Sequence, residues 1–278
     1  MKKPTLTSII LVAAILMLFF ATCKKNSVKP VVNTMPDYAA ISSQAAVTLY
    51  KSITGQYGGI DVSRGISSPF NTNNAALRPL SVYSANPLCG YIIDTAYNYT
   101  THSGAYGNPA DTIFNNKGNF KFVYTCDGGK VDGYQVTDSA FYQQFNQAAD
   151  ILNDFGVVQN YAVKAVDQTY KVVSVNGSLS SSVSLTKFLV EILSQQDATY
   201  LLNGLVVNFT SGTADVTSGT ATFHMAVGGT HVYDSLDPYI LTYYDGTIQF
   251  LGNHTARLTI NPNHVYLVNL ITGVVTPA

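Results

Sequence analysis

Tryptophan is absent from this chain, and glutamate occurs once, at Glu191, beside fifteen aspartates. Charged residues make up 11% of the sequence, less than half of the ~25% usual in globular proteins. So little charge leaves no basic patch to neutralise phosphates, which excludes nucleic acid as a partner class. Only three cysteines are present, Cys23, Cys89 and Cys126, with no close pairing of the kind that holds zinc. The longest apolar run, Ile9 to Ala21, has 13 residues. A hydrocarbon core of ~30 Å needs about 20 in a helix.

Catalytic signatures are equally scarce. Neither a Gly-x-Ser-x-Gly elbow, nor a His-Glu-x-x-His helix, nor a phosphate-cradling glycine loop occurs. Ser184 and Lys187 match the spacing of a Ser-x-x-Lys nucleophile, but no Lys-Thr-Gly strand accompanies them, and a capping role for Ser184 explains it better. The five histidines, His102, His224, His231, His254 and His264, lack tight ligand spacing. Asp127-Gly128-Gly129-Lys130 lacks the alternating ligands of a calcium loop and reads as a hairpin turn. Neither a metal nor another cofactor is expected, and the sequence argues against an enzyme.

What the chain does contain begins with its address. Lys2 and Lys3 precede the 13-residue apolar run, Thr22 follows it, and then comes Cys23-Lys24-Lys25. The length suits the hydrophobic region of an export signal. A cysteine placed there resembles the lipobox of bacterial lipoproteins, and the Cys-Lys-Lys start resembles secreted lipoproteins of the Bacteroidota. Ala21 fits that pattern, whereas Phe20 and Thr22 stand where Leu and a smaller residue are usual. The resemblance implies removal of residues 1–22, lipidation of Cys23, a tether over 23–36 and a single domain over 37–278. It further implies anchoring in the outer membrane. Surface-exported lipoproteins of that group often carry acids just after the cysteine, and this tether carries none, so the resemblance implies the periplasmic side over surface exposure. The rival readings are an ordinary cleaved signal with a free Cys23, and a retained anchor.

Hydrophobic residues make up 46% of the chain, and 19 are tyrosines. With abundant Thr, Val, Ser and Asn, this composition belongs to sheets and turns. Asp37 is expected to cap a helix whose stripe is Ile41, Ala45, Leu49 and Ile53, closed by Gly55. Apolar stripes predict further helices over 139–155 and 184–196. Elsewhere period-2 patterns predict strands at 89–99, 119–126, 158–166, 170–176, 199–209, 219–227, 239–250, 254–260 and 264–275. The fold class is mainly β: an antiparallel curled sheet or β-sandwich with two or three peripheral helices.

Parity places Cys89, Tyr91 and Ile93 on one face of the first strand, and Cys126, Tyr124 and Phe122 on one face of the next. If these strands form a hairpin, Tyr91 meets Tyr124 and Ile93 meets Phe122. The cysteines then oppose each other within reach of a disulfide, in an oxidising compartment. Four Asp-(Ser/Thr)-x sites also resemble the O-glycosylation pattern of secreted Bacteroidota proteins. Their acceptors are Thr95, Thr112, Ser139 and Ser235, with Thr112 and Ser235 favoured because they lie near turns.

Functionally, the sequence predicts a lipid-anchored, non-enzymatic binding or structural module of the envelope. Its partners are the membrane, through the lipid, and an envelope component or surface polymer. The alternatives are a carrier of lipid or another apolar ligand, and a periplasmic hydrolase with dispersed Asp and Ser residues.

Overall fold

A computed structural model describes residues 37–57, 59–66, 89–104, 111–187, 191–210, 212–228 and 241–278. Cys23, the segments 1–22 and 23–36, and Ser235 lie outside the described residues. One sheet of eleven antiparallel strands carries the architecture, each strand paired with its sequence neighbours in an open meander. The strands are β1 (Ile92–His102), β2 (Thr112–Asp127), β3 (Lys130–Asn146), β4 (Ile151–Ala165), β5 (Val172–Lys187) and β6 (Glu191–Asn208). They continue as β7 (Asp215–Gly228), β8 (Thr242–Gly252), β9 (Thr255–Ile260), β10 (His264–Asn269) and β11 (Val275–Pro277). A single curled sheet thus replaces the sandwich alternative.

The sheet curls around α1 (Tyr38–Ile53). Asp37 caps this helix, its Oδ1 accepting from the amides of Ala39 and Ala40, and Gly55 follows in the left-handed region. Ile41, Ala45, Leu49 and Ile53 are buried against the inner face of the sheet, with Phe122, Tyr134, Tyr200, Phe223 and Ile248 in the same core. Tyr200 Oη donates to the Ala45 carbonyl at 3.0 Å, and Tyr50 Oη donates to that of Ala214 at 2.7 Å. Phenols therefore fix the helix by hydrogen bonds as well as by area. Bulges supply the curl. At Gly177 (φ 141°), a Cβ would stand 2.4 Å from the Asn160 carbonyl oxygen, and the register shifts between Val175 and Gly177. Only glycine fits that approach.

Two expected helices are strands instead. Residues 139–155 form the end of β3, a turn, and the start of β4, with Phe141 opposite Gly156 and Phe145 opposite Leu152. Asp150 (φ 56°) turns the chain, and Asn146 Oδ1 accepts from the Ala149 amide at 3.0 Å. The helical stripe was a coincidence of aromatic spacing; long ladders to β2 and β5 decide the outcome. Residues 184–196 likewise divide between β5 and β6, with Lys187 opposite Glu191. Among the described residues α1 is the one α-helix, beside a 3₁₀ turn at Val62–Arg64.

The β1–β2 register agrees with parity: Ile93 pairs with Phe122, and the Tyr124 amide donates to the Tyr91 carbonyl at 3.1 Å. Cys89 and Cys126 are bonded, with Cα atoms 5.6 Å apart. A disulfide closing a loop of this size contributes about 2–4 kcal/mol.

Candidate outer-face binding trough

The outer face of the sheet carries a trough that crosses six strands and encloses about 400 Å³. Its axis is a single register row. Phe141 pairs with Gly156, Gly156 with Ser182, Ser182 with Asp197, Asp197 with Ala226, and Ala226 with Tyr243. Five strand spacings of ~4.8 Å make this row ~24 Å long. The middle positions bear small side chains, and that makes the depression.

Rings stand at both ends. The Phe141 ring lies across Gly156, where a Cβ would come within 3.1 Å of it, and is 44% exposed. Lys117 Nζ sits 5.4 Å from its centroid. At the far end Tyr243 is 61% exposed and stacks on His224 with centroids 5.7 Å apart and planes at 18°. His224 Nδ1 is 2.8 Å from Asp245 Oδ1. Neither ring belongs to the core, so the sheet gains little from holding them in water.

Polar groups line the space between the rings. Ser180 Oγ and Thr199 Oγ1 are 3.2 Å apart, and Asp197 Oδ2 accepts from Gln195 Nε2 at 2.6 Å. One row along, Asp154 accepts from Gln143 Nε2 at 2.8 Å and from Ser184 Oγ at 3.4 Å. Hydroxyls, amides and carboxylates thus share one surface with two exposed rings. Asp154 and Asp197 stand two strands and one row apart, with Cα atoms about 12 Å from each other.

Ser184 is a strand residue here and caps no helix; Lys187, three positions on, faces the opposite side. The hairpin turn at 127–130 is as expected. His254 and His264 lie against Tyr50 and Tyr38, at opposite ends of α1. Among the described residues no three His, Cys, Asp or Glu side chains gather into a metal site. Of the proposed glycan acceptors, Thr95 is half-buried on the inner face of β1, and Ser139 is half-buried beside the trough in β3. Thr112, also half-buried, opens β2. Its neighbour Asp111 is buried, and His102 beside it holds that carboxyl below the usual range.

The inner face holds a second polar group. Asp138 is 3% exposed, and Oδ1 has no hydrogen-bond partner among the described residues. Burial pushes its carboxyl up to about 7, against a weaker lowering by the Ser139 amide. Desolvation likewise raises Asp61 and the phenols of Tyr134 and Tyr161. Asp138 underlies Gly59, in the segment between α1 and the 3₁₀ turn.

Sequence reasoning missed the trough, although one signal for it exists. Five of the seven residues 178–184 are serine, and period 2 sets Ser180, Ser182 and Ser184 on one face. The chain matches no protein-family model, no curated protein and no solved structure.

Proposed function

We propose that this protein is a lipid-anchored binding module of the outer membrane, facing the periplasm, that holds an extended, polyhydroxylated polymer of the cell envelope in the outer-face trough. The carrying observation is the row from Phe141 to Tyr243. It is long, open at the surface, floored by small residues and ringed at both ends. Stacking faces joined by hydroxyls, amides and carboxylates suit a chain of sugars, which presents an apolar face and a polar edge in each unit. The inside of the curl is packed with side chains around α1, so this reading does not rely on a ligand there.

The compact unit Asp37–Ala278 contains every core residue named above and is the protein to assay. Isothermal titration against soluble peptidoglycan fragments and a panel of neutral bacterial oligosaccharides should find a ligand whose affinity rises with length up to about five units. Phe141→Ala and Tyr243→Ala should each weaken it at least tenfold without lowering the melting temperature. Unchanged binding in both variants, or release of shorter products by the wild type, overturns the proposal. For the anchor, Cys23→Ala should leave an unprocessed precursor on immunoblots, insensitive to inhibition of the lipoprotein signal peptidase. Normal maturation of that variant excludes lipidation at Cys23.

A further inference from the structure

A second cavity, of about 940 Å³, opens at the end of the sheet formed by the β2–β3 and β4–β5 turns. Its volume is near the top of the ~300–1,000 Å³ range of small-molecule sites. Ile66, Val131, Tyr170 and Phe209 give it an apolar wall, and Cys89 brings the disulfide to its edge. The wall is closely built. A Cβ on Gly65 (φ 75°) would stand 2.9 Å from Phe209 Cζ and 3.2 Å from the Tyr170 carbonyl oxygen. The Phe209 amide donates to the Lys171 carbonyl at 3.1 Å, which ties the end of β6 to the β4–β5 turn.

Charge is what sets this cavity apart. From Asp37 onward the chain has ten basic against sixteen acidic residues, a net −6. Three of those ten, Arg64, Lys130 and Lys171, line this one cavity, and among the described residues that line it there is no carboxylate, Asp127 and Asp167 standing elsewhere in the same turns. Arg64 is held by Asp61, Nε to Oδ2 at 3.3 Å. Lys130 and Lys171 are exposed and come from adjacent turns. An apolar wall under a cationic rim, in an acidic domain, is complementary to a molecule with an apolar body and one anionic end. A sugar chain has no continuous apolar body of this kind, so this site is distinct in chemistry as well as in place from the trough.

We infer that this cavity binds a single acyl chain carrying an anionic head group, with the chain against Ile66, Val131 and Phe209 and the head between Lys130 and Lys171. The inference stands apart from the trough reading. Oleate and 1-oleoyl lysophosphatidate below their micellar concentrations, oleyl alcohol below its solubility limit and inorganic phosphate are the probes, followed by displacement of a fluorescent polyene fatty acid. The two anionic amphiphiles should displace it at one equivalent, the alcohol should bind at least tenfold more weakly, and inorganic phosphate should not compete. The double variant Lys130→Gln/Lys171→Gln changes exposed side chains and should fold normally. It should lose at least tenfold for oleate, keep its affinity for the alcohol and keep oligosaccharide binding. Phe209→Ala should weaken all three amphiphiles. No displacement by oleate, equal affinity for oleate and its alcohol, or an oleate affinity untouched by the double variant each overturns the inference. A loss of oleate binding in Phe141→Ala would do so as well, by assigning the amphiphile to the trough.

Discussion

Asp138→Asn is expected to remove most of the pH dependence of folding stability between about pH 4 and pH 7. In the folded protein Asp138 keeps its proton up to about pH 7, whereas in the unfolded chain it releases it near the ordinary ~3.9. Across that interval the folded state binds more protons, so stability falls as pH rises. The contribution is fully present below about pH 4 and lost above about pH 7. A proton held across an interval of that width is worth about 4 kcal/mol. Asp61 is raised in the same direction and should leave a smaller slope in the variant. Urea melts of both proteins at pH 4.5 and pH 8 measure the difference. A variant as pH-dependent as the wild type would show that Asp138 is solvated in the folded state.

Gln159→Leu should cost about 3–5 kcal/mol, because this side chain closes three buried hydrogen bonds at once. Its Oε1 accepts from the Ile60 amide at 2.7 Å, and its Nε2 donates to the carbonyls of Ser52 and Ile60, each at 3.2 Å. Gln159 itself is fully buried. Leucine fills similar space and takes these partners from the Ile60 amide and carbonyl, at about 1–3 kcal/mol each before relaxation, while the Ser52 carbonyl keeps the Gly55 amide at 3.4 Å. Gln159→Glu keeps an acceptor for the Ile60 amide and loses the donor, yet it also buries a carboxyl, so it should be no better than Leu above neutral pH and milder in acid. Denaturant titration gives the stabilities. Loss of hydrogen-exchange protection at Ile60, with the core of β6 still protected, would show that the segment after α1 has come away from the sheet. Retained protection there would mean that Gln159 is not what docks it.

Much of this protein was decided locally and can be read as such. The alternation through 91–99 and 120–126 set the face and register of the first hairpin, because a one-residue slip would turn Phe120, Phe122 and Tyr124 to water. With the faces fixed, the Cys89–Cys126 bond followed. Asp37 with Ile41, Ala45, Leu49 and Ile53 likewise specified α1, since a cap and a stripe suffice where one side of a helix is buried. Residues 139–155 and 184–196 were different. Their apolar spacing satisfies a helix as well as two strands, and only the neighbouring ladders of β2, β5 and β7 settle the choice. The trough and the basic cavity are further still from local reading. Phe141, Gly156, Ser182, Asp197, Ala226 and Tyr243 spread over a hundred residues and become one surface only through the register of six strands. Arg64, Lys130 and Lys171 meet only because the turns that carry them share one end of the sheet. Sequence determines which side of a strand a residue faces, since pleat and burial act over a few residues. Which residues from distant strands lie side by side depends on pairing and bulges, and those belong to the tertiary structure alone.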